Sequence, residues 1–345
     1  MAEKILVAMS GGVDSAVSAL LLLEAGYDVS AVTFLVTDGS EATAEDARRV
    51  ADKLSIGHHI VDYRREFKED VTDFFAESYK RGLTPNPCVR CNNRIKFGRL
   101  LDFASERGYP RLATGHYAKN EPDEKSGRPL LKMGEDSTKD QSYFLYTLTE
   151  RVLSRVIFPL GTYDKKTVRE IAQRYGLVGA EKPESQDICF IADDYRDFLA
   201  DYLNGRAGEP GDFVDVSGKI LGRHKGIFAY TVGQRKGMGV SSDAPLYVIG
   251  KNAEKNQVVL GREQELYSDS LTAAEVTTVS GAGFDEEAIY DAKIRYSRHM
   301  AKVRVYHTEC NVIVLEFMTP QRAAAPGQSV VIYSGDTVIG GGIIR

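Results

Sequence analysis

The chain has no tryptophan, and its 345 residues hold only four cysteines and six histidines. Cysteine that sparse excludes a small disulfide scaffold. No apolar run approaches the roughly 18–20 residues that cross a bilayer. The apolar stretch Ile5–Met9, close behind Met1, is too short for a secretory leader. Basic excess is missing too. Lys and Arg number 44 against 49 Asp and Glu, a net charge of −5, so the whole chain is not a basic nucleic-acid coat. Apolar residues make up 43% of the chain, which excludes disorder. A cytoplasmic, membrane-free protein of two or three domains is expected.

The first half alternates strand and helix. Strands are expected at Lys4–Met9, Asp28–Val36, His58–Val61 and Arg111–Thr114. Helices are expected at Asp14–Ala25, Thr43–Leu54, Arg65–Tyr79, Ile95–Arg107, Lys165–Tyr175 and Asp194–Leu203. Such alternation predicts a parallel sheet covered on both faces. From the turn-rich stretch Asn204–Gly211 onward the pattern changes to short alternating runs, among them Phe228–Thr231, Gln257–Leu260, Val312–Phe317 and Thr337–Gly341. Small β barrels or sandwiches follow. The expected division is 1–204, 205–266 and 267–345.

Between the first strand and first helix stands Ala8-Met9-Ser10-Gly11-Gly12-Val13-Asp14-Ser15. Two glycines let backbone N–H groups turn inward, the helix start adds partial positive charge, and two hydroxyls stand alongside. The plain alternative is a Ser-capped Gly-Gly turn. Neither a Walker Gly-x4-Gly-Lys-Ser/Thr nor a Rossmann Gly-x-Gly-x-x-Gly is present there. The string resembles the pyrophosphatase loop (PP-loop) of enzymes that split ATP into AMP and pyrophosphate.

Thr84-Pro85-Asn86-Pro87-Cys88-Val89-Arg90-Cys91-Asn92 pairs two sulfurs at Cys-x-x-Cys spacing. Its two prolines predict a stiff loop held off any helix. The spacing suits a metal, a cluster or a redox pair. Cys189 lies in Glu184–Phe190, and Cys310 among β runs reads as structural. Three sulfurs can hold a cluster with one iron open, or form a nucleophile pair with a bystander.

Charge concentrates around this string. Lys80, Arg81, Arg90, Arg94, Lys96, Arg99, Arg107, Arg111 and Lys119 face only Asp102 and Glu106, a local net of +7. A solvated face is the ordinary explanation. A patch enclosing the sulfurs points instead to a phosphate-rich partner, and further basic excess at 205–240 and after Asp291 suits a folded RNA.

Further strings are Gly115-His116-Tyr117-Ala118, Lys139–Leu145 (KDQSYFL), Ser185–Ile191 (SQDICFI), Tyr230–Gly237 (YTVGQRKG), Ile294–Tyr296 and Ala325–Gln328. Taken alone, the Lys139 string caps an apolar helix. Together, end to end, they resemble the tRNA-specific 2-thiouridylase family. The resemblance implies an N-terminal α/β PP-loop domain, a small central β domain and a C-terminal β-barrel. It implies ATP-dependent replacement of the C2 oxygen of the wobble uridine of Lys, Glu and Gln tRNAs by sulfur.

Carried over by motif, Ala8, Met9, Ser10, Gly11, Gly12, Val13, Asp14, Ser15, Leu35 and Gly115 are expected to bind ATP with Mg2+. The family usually has Met at the position of Leu35. Asn86, Pro87 and Cys88 are expected to border the target base. Cys91 matches the family nucleophile and Cys189 the persulfide carrier. His116, Lys139, Asp140, Gln141, Arg295, Tyr296 and Gln328 match tRNA contacts. Many members have Asp at the position of Cys88. That leaves two schemes open: a [4Fe–4S] cluster on Cys88, Cys91 and Cys189 holding hydrosulfide, or a persulfide relay closing a Cys91–Cys189 disulfide. The reading leans slightly to the cluster. Sulfur would come from a cysteine desulfurase, a sulfur-relay protein or hydrosulfide. The competing readings are an adenylating ligase or amidase acting on a small molecule, and a non-catalytic RNA-binding protein.

Overall fold

A computed structural model describes residues 2–177, 188–191, 194–203, 208–309 and 311–345. Cys310 and Ser185–Asp187, both singled out above, lie outside the described residues.

The first strand, β1 (Lys4–Ala8), carries Ile5, Leu6 and Val7, all fully buried. Only a central strand buries successive side chains on both faces. It is flanked in parallel by β2 (Asp28–Leu35) and β4 (Arg111–Ala113), and these by β3 (Gly57–Asp62) and β7 (Val156–Ile157). The resulting order β3-β2-β1-β4-β7 places the turn after β1 at the point where chain direction across the sheet reverses, the usual ligand edge of such sheets.

Helix α1 (Val13–Glu24) lays Ala16, Val17, Ala19 and Leu20 on the sheet. It ends as its sequence dictates. Gly26 sits at φ +85, its N–H on Leu23 O and the Tyr27 N–H on Leu22 O, which occupies the last carbonyls. Helix α2 (Ser40–Leu54) begins three residues before the expected Thr43. The Ser40 hydroxyl accepts from the N–H groups of Val36 and Thr37 and turns the chain earlier.

Two β assemblies follow. β8 (Gly211–Val214), β9 (Ile220–His224), β10 (Tyr247–Asn252) and β11 (Gln257–Gly261) form a four-stranded sheet around Phe213, Val248, Val258 and Leu260. The strand expected at Phe228–Thr231 is a short 3-10 turn, Ile227–Ala229, that packs into the same core. The six strands β12 (Tyr267–Thr278), β13 (Tyr290–Lys293), β14 (Ala301–Glu309), β15 (Val312–Arg322), β16 (Ser329–Ser334) and β17 (Thr337–Ile344) close into a barrel through the β12–β17 pairing.

One connection was not visible in the sequence. The hairpin β5 (Ala118–Pro122) and β6 (Pro129–Met133) belongs to the first half of the chain, yet β6 pairs with β17 and extends the barrel sheet. Tyr143, Tyr146, Val331 and Tyr333 share one buried cluster with Leu6 and Leu112. The barrel and the parallel sheet are therefore one packed body. At roughly 1.5–3 kcal/mol for each large apolar side chain buried, that joint is strong.

Candidate active site

The loop after β1 is built for close approach. Gly11 has φ +68, and a Cβ there would lie 2.5 Å from the Asp46 Cβ, so only glycine fits. The Ser10 N–H donates to Ser15 Oγ at 3.2 Å, and that hydroxyl donates to Gly12 O at 3.0 Å, folding the loop over the start of α1. The first N–H groups of α1 have no carbonyl of their own helix to bond. Gly115 comes up from the end of β4. A Cβ there would stand 3.0 Å from the Asp14 carbonyl carbon and 3.1 Å from the Ser15 nitrogen. Leu35 ends β2 on the other side of β1, buried. Two strand ends thus flank the loop, as a nucleotide lying across it requires.

Asp14 is held in place. Lys165 Nζ lies 2.7 Å from both of its carboxylate oxygens, and the Tyr117 hydroxyl donates to Oδ1 at 2.7 Å. Lys165 opens the helix Lys165–Arg174, which Asp164 caps on the Thr167 N–H. The sequence reading missed both Lys165 and the role of Tyr117. The signal for Tyr117 was its place inside the Gly115–Ala118 string. Nothing near Lys165 in sequence announces a ligand.

The cysteine string differs from expectation. Pro87–Cys91 is helical, and the helix runs on as Asn92–Arg99 with π-type bonding and then Leu100–Glu106. Proline at the first helical position leaves no needed N–H missing, and Asn86 caps the turn by accepting from Val89 N at 3.3 Å. The prolines start a helix instead of preventing one. Cys88 and Cys91 thus lie on a rigid element. Cys91 is buried, Cys88 and Cys189 reach solvent, and all three are unpaired thiols.

Phe190, the neighbour of Cys189, packs against the buried cluster of Phe67, Val71, Cys91 and Ile95, which brings the Cys189 segment to the cysteine helix. Protein crowds around the three sulfurs. Burial pushes the Cys91 thiol up to about 12, with Lys96 opposing. Burial also raises Cys88 and Cys189, and Lys96 opposes there too. Lys96 thus acts on all three thiols, and the sequence count had placed it in the basic patch without giving it that role. It lies five residues after Cys91, the spacing that π-type bonding brings onto one face. Among the described residues no three His, Cys, Asp or Glu side chains are disposed to hold a metal ion.

The expected RNA contacts divide into two groups. Arg295 and Tyr296 are exposed, and Lys139, Gln141 and Gln328 are half-buried. His116 is buried between Phe97 and Phe158, its Nδ1 2.7 Å from Thr114 Oγ1, and burial holds its pKa well below the usual imidazole value. Asp140 is 2% exposed, and both of its oxygens bond within the protein. The Lys139 string forms only a 3-10 turn, Ser142–Leu145, because Asp140 ties its start to Gly134 and Ser142.

The basic patch is narrower than the sequence count. Lys80, Arg99, Arg111 and Lys119 pair with Glu77, Asp70, Glu3 and Glu135, all acids beyond the counted pair. Arg90 and Arg94 line a cavity of about 300 Å³ between the cysteine helix and the barrel, with Asn86, Tyr146, Glu275 and Gly327.

Residues 3–193 match the family model described as tRNA methyl transferase HUP domain. Residues 196–262 match its PRC-barrel domain, and 268–344 match an aminomethyltransferase β-barrel domain. The tRNA-specific 2-thiouridylase MnmA of Syntrophomonas wolfei is 47% identical over 341 residues, 99% of each chain. That of Treponema denticola is 44% identical over 357 residues, 99% of this chain and 98% of that one. That of Heliobacterium modesticaldum is 45% identical, covering all of this chain and 93% of its own.

Proposed function

The chain belongs to the tRNA-specific 2-thiouridylase family, and from that premise we propose how its residues carry out ATP-dependent thiolation of the wobble uridine of tRNA. The family model's label speaks of methyl transfer, whereas the curated relatives are thiouridylases. The site favours thiolation. Methyl transfer needs neither a phosphate loop with a helix start behind it nor three neighbouring thiols.

The observation that carries the reading is the packing of the Cys189 segment, through Phe190, against the cluster that holds Cys91, within one fold that also holds the phosphate loop. The C2 oxygen of uridine is a poor leaving group. It attacks the α-phosphorus of ATP, pyrophosphate leaves, and the base is left O-adenylated. Gly11, Gly12 and the α1 N-terminus receive the phosphates, with Leu35 and Gly115 beside adenine and ribose. Asp14 would hold Mg2+, which would neutralise charge on the phosphates, and Lys165 beside it would add a second cation.

Sulfur arrives as a persulfide on Cys189, supplied by a desulfurase, a relay protein or hydrosulfide with an oxidant. Its terminal sulfur attacks C2 and AMP leaves, joining the base to Cys189 through a disulfide. The Cys91 thiolate then attacks the Cys189 sulfur. A Cys91–Cys189 disulfide forms and the base departs with its new sulfur. A dithiol reductant resets the pair. Asn86, Pro87 and Cys88 border the base. Lys139, Gln141, Arg295, Tyr296 and Gln328 meet the RNA on the exposed side, where a cytoplasmic tRNA would dock. Cys88, Cys91 and Cys189 are also the side chains that would hold a cluster, whereas the steps above need only their thiols.

Incubating the protein with a tRNA transcript, ATP, a cysteine desulfurase with cysteine as persulfide source, and a dithiol reductant tests the reading. Thiolated RNA with AMP and pyrophosphate is the expected outcome. AMP without RNA would point to a small-molecule ligase. RNA binding without ATP consumption would point to a non-catalytic binder.

A further inference from the structure

Asp140 was expected to touch RNA, but its carboxylate is enclosed. Oδ1 accepts from the N–H groups of Gly134 at 3.1 Å and Ser142 at 3.0 Å. Oδ2 accepts from Ser142 Oγ and from Lys293 Nζ, each at 3.0 Å. The Lys293 and Asp140 side chains are 3% and 1% exposed, and the lysine ammonium lies 5.1 Å from the centre of the Tyr333 ring. No oxygen of Asp140 is left for a ligand.

A buried ion pair costs several kcal/mol of desolvation per ion, so it is poor evidence of stabilisation in itself. This pair has a particular location. Lys293 is the last residue of β13, and Arg295 and Tyr296 follow immediately. Tyr296 packs on Phe144 at 4.5 Å between ring centres and on Tyr143 at 6.0 Å. Phe144 O accepts from Asn92 Nδ2 at 3.0 Å, and Asn92 is the neighbour of Cys91. The Tyr143 hydroxyl in turn donates to Ser329 O in the barrel at 2.8 Å. A continuous set of contacts therefore runs from the barrel, through the segment that Asp140 anchors, to the C-terminal end of Pro87–Cys91.

We propose that Lys293 is a positioning residue: its ion pair with Asp140 sets the barrel loop Arg295–Tyr296 in register with the cysteine helix, so that docked RNA presents its base to the sulfurs. This rests on the thiolation reading above. The geometric demand is real, since a misplacement near 1 Å can cost about a hundredfold in rate. Asp140 belongs to the same device and is not an RNA contact.

Lys293→Met alone leaves a buried carboxylate without its cation and can fail to fold. The decisive variant is therefore Asp140→Asn with Lys293→Met, which removes both charges and keeps an acceptor for Gly134 and Ser142. Its thermal midpoint and ATP affinity should stay close to wild type. Its kcat/KM for tRNA should fall at least about tenfold. A folded double variant with wild-type kcat/KM overturns the proposal, because a purely stabilising pair would be replaced without loss. Amide hydrogen exchange without RNA gives an independent reading. Residues 86–92 and 294–297 should both exchange faster in the double variant, and unchanged exchange overturns the proposal whatever the substrate. A wild-type protein that does not thiolate tRNA refutes the functional reading and leaves the exchange result to judge the coupling.

Discussion

At the nucleotide end of the site, the Asp14 carboxylate already holds hydrogen bonds from Lys165 and Tyr117, and the Ser10–Ser15 turn is closed. At the sulfur end, three thiols stand reduced, with Cys91 pushed up to about 12 and the other two also raised by burial. Such thiols are protonated near neutral pH and therefore weak nucleophiles. One end is preorganised and the other is idle until RNA or a persulfide changes its surroundings. That order of events protects the reactive sulfur, because adenylation can be ready before a nucleophile is released.

The largest effect should separate the two ends outright. Cys91→Ser and Cys189→Ser are each expected to lower thiolation at least about a thousandfold while RNA-dependent pyrophosphate release persists. Full thiolation in Cys189→Ser would rule out both the relay and the cluster. Cys310→Ser should be neutral. The converse change is Gly11→Ala, which drives a Cβ against Asp46. It should cost about a hundredfold in kcat/KM for ATP while alkylation of Cys88, Cys91 and Cys189 by iodoacetamide keeps its wild-type rates. Altered alkylation would mean that the two ends are not independent.

Cys88→Ser sharpens the comparison. A relay should keep activity within about tenfold, whereas a cluster enzyme purified without oxygen should lose iron and activity together. A smaller effect comes from Arg295→Ala, which should weaken tRNA binding and lower its salt slope by about one unit. A slope identical to wild type would remove Arg295 from the RNA contacts.

The smallest effect is a titration. The pKa of His116 is lowered by burial, so the unfolded chain takes up its proton first as pH falls. The stability contribution is therefore complete above about pH 6.5 and is lost below it, at up to roughly 1.4 kcal/mol per pH unit. Thermal unfolding between pH 7 and 5 should show that slope, and His116→Gln should flatten it.

Much of the site was legible because its chemistry is local. The Ser10–Ser15 turn needs glycine at a positive φ and a helix directly after a strand, and those requirements are written in adjacent residues. The Cys88–Cys91 spacing was legible for the same reason, although its prolines were misread. Proline forbids a helix interior but suits a first turn, and Asn86 supplied the cap that decided between the two. Lys165 and Lys293 were not legible. Each is an ordinary lysine in sequence, and its meaning comes from a carboxylate elsewhere in the chain. Lys96 was legible as one charge of the basic patch, but its bearing on the thiols was not.

The sequence by itself determined the alternation of strand and helix, the phosphate loop, the β character of the second half and the set of cysteines, since each rests on the period or spacing of neighbouring residues. Only the tertiary structure decided that β6 joins the barrel sheet, that Asp140 is buried against Lys293, and that the segment of Cys189 packs against the Cys91 cluster. Hydrogen-bonded edges, ion pairs and desolvation act through space, between residues whose separation along the chain carries no signal of their contact.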